Sequence, residues 1–476
     1  MRLSEYAAFD ACGLAELVCA GQVRSDELAR LAFEACAKVN PQLNAVIEFY
    51  EDAETVAGAD GGIFQGVPFL RKDLGATEAG RLQECGSRLF QGRRAEIDSN
   101  FFQLARRAGL RTVGRTATPE LGTAGVTESI LVGITRNPWD VNVSAGGSSG
   151  GAAAAVASGI VPMAHGGDGG GSIRTPACFT GLIGLNPSRG RVSGGPNKQD
   201  SNLGLARQFV LCRSVRDMAA ALDVFSAPAA GDPFTIVQPA RPYREELTMA
   251  SRAATIGVAL TNWGEAEIEP DVKEAVAATA RQLEAMGHIV EEMPPPCPAH
   301  DYVEILLGVK HMFSGGLAKQ AKALGRAISA DTLEPVNLKL YEESLSVPLS
   351  HAETTIELIR KMRTDVAIAT AAYDFLLTPC MPMVSLPHGR YATTNEAYSA
   401  RSWMEMDAAI YMFLGVFNVT GQPSVSLPVW TSGTNMPIGV QVVGKFGDES
   451  GLVRMARDLE CAMPWAGRPA PVHAGR

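Results

Sequence analysis

No basic stripe runs through this sequence, and its formal net charge at pH 7 is −9. A nucleic-acid binder would show clustered lysines and arginines. Here no such run exceeds a pair such as Arg93-Arg94, which also argues against a membrane-surface patch. No stretch approaches the ~18 apolar residues of a spanning helix. The opening MRLSEYAAFD lacks a charged segment followed by an apolar one, so no signal peptide is expected. The seven histidines form no HxH or HxxxH pair, and no metal site is expected. The nine cysteines are scattered without a CxxC pair, the pattern of reduced thiols. A cytoplasmic protein without metal or cofactor is the expectation.

What is present suits a globular enzyme. Apolar residues make up 46% and charged residues 20% of 476, enough for a large core. No repeat, low-complexity tract or linker breaks the chain, so one domain over 1–476 is expected. A capped helix is predicted over Asp26–Val39, stopped by Asn40-Pro41. Val67–Lys72 reads as a strand, Asn100–Ala108 as a helix and Arg111–Gly114 as a strand. The alanine-rich stretch Ala152–Ser158 favours helix, and 188–206 reads as loop. Thr255–Leu260, Asp271–Met286 and His288–Glu292 repeat the strand–helix–strand order, with Gly287 as the stop. Residues 300–371 look mainly helical. Phe375–Thr378, Ser424–Pro428 and Ile438–Val443 read as strands. This alternation suggests an α/β sheet covered by helices.

Three segments could carry chemistry: GVPFLRKD (66–73), SAGGSSGG (144–151) and HGGDGGGSIRTPA (165–177). Each alone has a plain reading as a strand end, a flexible loop or a turn. Together they are more specific. Strand alternation puts Lys72 on one face with Leu70. Burial there would disfavour its charge and make it a base. A serine hydroxyl needs such a base to become a nucleophile. The run Gly169-Gly170-Gly171 before Ser172 lets successive backbone N–H groups turn toward one point, as an oxyanion hole requires.

These segments resemble the amidase signature family. Its GGSSGG block corresponds to Gly146–Gly151, its D-x-G-G-S-I-R-x-P-A block to Asp168–Ala177, and its G-V-P-x-x-x-K-D to Gly66–Asp73. Asn418–Pro423 with Pro428, and Pro437–Gly444, look like its C-terminal half. Within the family, the pattern is similar to bacterial cyclic-dimer hydrolases that open a nylon-related lactam, and to related amidases and urethanases. Asn137-Pro-Trp and Pro464-Trp465 fit that branch. The resemblance implies a central, mixed, twisted β-sheet with helices on both faces, an α/β/α sandwich. It implies core motifs over 66–195 and a variable, mostly helical pocket region over about 230–370.

The resemblance also implies roles. Ser172 matches the acylated nucleophile, Ser148 a bridging serine after a cis peptide, and Lys72 the base. Gly169, Gly170, Gly171 and Ser172 match the oxyanion loop. Asp168 and Arg174 match a pair bracing that loop. Ser149 could brace the site or cap the alanine helix. Three positions depart from the family pattern: Arg71, usually aliphatic; Gly167, usually Ser, Thr or Asn; and Asn186, usually Lys.

The implied activity is hydrolysis of a small-molecule amide or carbamate. The expected partners are that substrate and, at most, a second copy of the chain. Rival readings remain at this stage. Gly146–Gly150 satisfies the G-x-S-x-G nucleophile elbow, but Pro138–Ala145 is a poor strand. His165 near Ser172 invites a Ser–His scheme, yet it reads better as a structural histidine. An amidotransferase subunit feeding ammonia to a partner uses the same fold. A binding protein that has lost catalysis is disfavoured by the intact triad. The pocket is expected to draw on 120–130, 300–350 and 390–415. There Phe313, Tyr341, Trp403 and Met404 hint at an apolar or aryl substrate.

Overall fold

A computed structural model describes residues 1–56, 58, 61–264 and 266–476. Among the described residues, thirteen strands run in chain order. They are β1 (Val46–Phe49), β2 (Pro68–Lys72), β3 (Arg111–Thr116), β4 (Glu128–Ser129), β5 (Gly133–Ile134), β6 (Met163–Asp168) and β7 (Ile183–Asn186). After them come β8 (Arg207–Cys212), β9 (Thr255–Val258), β10 (Ile289–Glu292), β11 (Phe375–Pro379), β12 (Ser424–Thr431) and β13 (Pro437–Gly444). Eleven form one sheet in the order β1-β3-β2-β6-β8-β7-β12-β13-β11-β9-β10, and β4 pairs with β5 alone. The sheet is mixed. β2 is parallel to β3 and β6, whereas β6, β8, β7, β12 and β13 run antiparallel in sequence.

Position in this sheet explains β2. It lies between two parallel neighbours, and all five of its residues are buried, Arg71 and Lys72 included. Such strands are covered on both faces and do not alternate. The cover on one side is the helix Gly150–Ala157, buried at every position. Its alanines present no side chain beyond Cβ, so it can lie close against the strands. At Gly151 the fit is absolute, because a Cβ would meet Ala117 N at 2.5 Å.

A second helix, Ala400–Thr420, is buried along most of its length and ends at Gly421 in the left-handed region. Its last carbonyls are met by arginines. Arg207 and Arg189 both donate to Asn418 O at 2.9 Å, and Arg363 donates to Val419 O at 3.1 Å. Cations at a helix C-terminus complement its dipole and its unpaired carbonyls.

Most predicted elements lie within a few residues of the observed ones. The first long helix is a correction: it spans Ser25–Leu43 and passes through Pro41. Proline there forfeits one amide donor near a helix end, and the helix closes instead at left-handed Asn44. The Asn40 side chain accepts from Ala45 N and Val46 N, turning the chain into β1. Among the described residues, no helix is long and apolar enough to cross a membrane.

Candidate active site

Three chain segments meet at the end of β2. Lys72 closes that strand and is 1% exposed. The loop before Gly150 brings Ser148 and Ser149, and the Gly147–Ser148 peptide leading into them is cis. β6 ends at Asp168 and hands the chain to Gly169–Ser172. Lys72 Nζ lies 2.7 Å from Ser148 Oγ, 2.8 Å from Ser149 Oγ and 3.3 Å from Gly167 O. Burial, opposed only by the Asp168 charge, brings the Lys72 amine down from 10.5 to about 7. A neutral amine has two N–H groups and one lone pair. Donation to Ser149 and Gly167 leaves the lone pair for the Ser148 hydroxyl. Ser149 Oγ also accepts from Gly167 N at 3.2 Å and makes no cap bond to its helix.

The Asp168–Arg174 pair is fully buried. Arg174 grips the carboxylate with Nε at 2.9 Å and Nη2 at 2.8 Å. It also reaches Leu414 O, Ser424 Oγ and Gln441 Oε1. Burial would raise the Asp168 carboxyl, but the Arg174 charge and these hydrogen bonds hold it well below the usual range. Asp168 in turn accepts from Gly171 N at 2.7 Å and Ile173 N at 3.1 Å. The Gly171 amide is therefore turned to Asp168 rather than into the cleft. The N–H groups of Gly169, Gly170 and Ser172 donate to nothing among the described residues.

Ser172 is half-buried and lines a cleft of about 200 Å³ with Lys72, Ser148, Gly169 and Gly170. The upper walls come from Leu121–Gly125, from Tyr302, Leu306, Val309 and Lys310 on the helix Ala299–Gly315, and from Asp407 and Tyr411 on Ala400–Thr420. These lie within the three expected ranges, whereas Lys198, Ser201, Asn202, Leu205, Ala206 and Gln208, which also line the cleft, lie outside them. The aromatic hint is overturned, since Phe313, Tyr341, Trp403 and Met404 do not line this cleft. Trp403 and Met404 are core side chains, and Phe313 faces solvent at 43% exposure. Spacing of 302, 306, 309 and 310 on one helical face was the available signal. Any amphipathic helix gives the same one.

Other expectations also find their places. His165 packs against Phe101 and Phe102. Its Nδ1 accepts from Lys72 N at 3.3 Å and its Nε2 donates to Gln208 Oε1 at 2.8 Å. Burial lowers its pKa to about 3, so it stays neutral and steadies the strand that carries Lys72. A Cβ at Gly167 would fall 2.9 Å from Gln208 Oε1, which ties that departure to the histidine's partner. Arg71 is buried and directed to Gln83, Leu82 O and Tyr50 rather than to the cleft. Asn186 is buried with neither side-chain atom hydrogen-bonded among the described residues. Residues 138–145 form no strand, so the nucleophile-elbow arrangement is not present. No cluster of three metal-ligating side chains occurs among the described residues.

The profile of the Amidase family matches residues 27–453. The chain belongs to this family. It is thereby a hydrolase of carbon–nitrogen bonds other than peptide bonds. It is 34% identical over 474 residues to the 6-aminohexanoate-cyclic-dimer hydrolase of Pseudomonas sp. (strain NK87), with 96% of each chain covered. It is 34% identical over 472 residues to the putative amidase AmiC of Mycobacterium leprae (strain TN), again with 96% of each covered. A solved structure of a 6-aminohexanoate cyclic dimer hydrolase complexed with substrate superposes with a TM-score of 0.91 at 32% identity. That match covers 98% of this chain and 100% of the other.

Proposed function

We propose that this amidase cleaves a small-molecule amide through an acyl-enzyme on Ser172, using a Ser172–Ser148–Lys72 relay. The observation that carries the reading is the buried Lys72 amine held on the Ser148 hydroxyl beside a cleft that exposes Ser172. Ser172 Oγ attacks the carbonyl carbon, its proton passes to Ser148, and the Ser148 proton passes to Lys72. The amides of Gly169, Gly170 and Ser172, which have no acceptor among the described residues, receive the oxyanion. Gly171 keeps the loop in shape through Asp168. The relay returns the proton to the leaving nitrogen, and water releases the acyl group by the same path.

Likeness to the cyclic-dimer hydrolases supports linear or cyclic amides as substrates. An aryl carbamate offers the same carbonyl geometry and belongs in the same trial. The test is a panel of aryl amides, lactams and aryl carbamates with the chain purified alone, alongside fluorophosphonate labelling. Turnover and labelling lost together in Ser172→Ala are expected. Turnover without a partner chain also removes the amidotransferase reading. A wild-type chain that neither labels nor hydrolyses any member refutes the proposal.

A further inference from the structure

The cleft holds a second polar pair that the relay does not use. Lys310 and Asp407 enter its wall from two different helices. Both are half-buried, and no ion-pair contact joins them among the described residues. Asp407 Oδ1 is closed off from solvent and has no hydrogen-bond partner among the described residues. Among the described residues, Lys310 Nζ has only the Thr123 hydroxyl, at 3.3 Å. Tyr411, the neighbour one turn along from Asp407, already donates to Gly125 O at 2.8 Å. An unpaired carboxylate and a thinly held amine in one partly dry wall are costly unless something pairs them. What fits between a cationic donor and an anionic acceptor is a group with an acceptor and a donor side by side. A secondary amide is such a group.

We propose that Lys310 and Asp407 form a recognition subsite for a second –CO–NH– group of the substrate, remote from the scissile one. Its carbonyl accepts from Lys310 Nζ, and its N–H donates to the Asp407 carboxylate. The inference rests on the reading of the cleft as an amide-cleaving site. Burial raises the Asp407 carboxyl to about 7 and lowers the Lys310 amine to about 8, each opposed by the other's charge.

The test uses the full chain and anilides that share one scissile bond. One series carries a second secondary amide on the acyl side, another on the leaving side. Matched analogues replace that amide by methylenes, by an N-methyl amide lacking the donor, or by an amine lacking the acceptor. In one series, kcat/KM for the secondary amide should exceed each analogue by about tenfold or more, since a site built for hydrogen bonds rejects what cannot make them. Asp407→Leu, which removes the acceptor, and Lys310→Met should each shrink that ratio toward one. The ratio cancels any general loss of activity. The wild-type series alone reads both contacts if a variant fails to fold. A flat wild-type ratio, or one that survives both substitutions, overturns the subsite. Fluorophosphonate labelling separates the two ideas: if Ser172 labels and anilides turn over while the ratio is flat, the subsite alone falls. If labelling and turnover both fail, the subsite falls with the amidase mechanism.

Discussion

The Lys72 amine lies 2.7 Å from the Ser148 hydroxyl, and no carboxylate touches it among the described residues. A lysine so placed is a base only while it is uncharged. Burial sets its pKa at about 7. The fraction in the active form therefore grows as pH rises through that value. We expect kcat/KM to climb through pH ~7 and level off above it. Lys72→Ala should cost about ten-thousandfold or more in kcat, and Lys72→Arg, always charged, should not rescue it. A profile flat over roughly pH 5 to 9 would remove Lys72 as the base.

Ser149 and Ser148 both sit within hydrogen-bond reach of that amine. Their roles differ by their other contacts. Ser149 is also tied to Gly167 N, so it positions the lysine. Ser149→Ala should lower kcat by about tenfold, the worth of one hydrogen bond, with KM unchanged. Ser148→Ala should cost far more. Equal losses would mean that the proton path has been assigned to the wrong serine.

His165 tests the alternative base. It is buried, neutral and spent on Lys72 N and Gln208. His165→Asn should keep activity within about tenfold of wild type, while unfolding in urea shows a loss of about 2–3 kcal/mol. Inactivation as deep as in Lys72→Ala would restore a Ser–His scheme.

Legibility in the sequence followed chemistry more than position. Lys72, Ser148, Ser172 and the glycine run were readable because few other folds need those residue types in that order. β6 was not predicted, since Gly166 and Gly167 sit inside Met163–Asp168 and break the strand pattern. The helix Ala400–Thr420 was missed because it is apolar almost all round, which erases the amphipathic period. Lys310 gave only the helical spacing it shares with Tyr302, Leu306 and Val309, and Asp407 gave none. Lys310 looks like the polar edge of an ordinary helix and Asp407 like a lone charge on an apolar one, until the fold sets both into the same cleft wall. The aromatic residues chosen for the pocket were read by type, and the packing sends them to core or solvent instead.

The Asp168–Arg174 pair makes a separate claim about stability. Arg174→Met would leave a fully buried carboxylate without its cation. Breaking a buried pair from one side costs about 3–5 kcal/mol. Because Asp168 is held below its unfolded pKa, the pair stabilises the fold above that unfolded value and loses this effect as pH falls. Denaturant midpoints of wild type and Arg174→Met should therefore differ most near neutrality and converge in acid. A constant difference would mean that the ion pair is not the source.

Lys72 makes the opposite claim, since catalysis needs what stability disfavours. Its pKa is about 7 in the fold, below the ordinary 10.5. Below pH ~7 the amine is charged in both states, and the native protein bears the full cost of a buried cation. Between the two values the unfolded chain holds a proton that the native chain lacks, so stability rises with pH. Lys72→Met removes the group and with it this slope. The variant should be more stable than wild type by a few kcal/mol at pH ~6, and the gap should narrow steadily toward pH ~10. Comparing the two chains cancels the titrating groups that do not interact with Lys72. If unfolding midpoints show a gap that does not change with pH, the amine is not desolvated in the native protein, and it has no means of being neutral when Ser148 needs it.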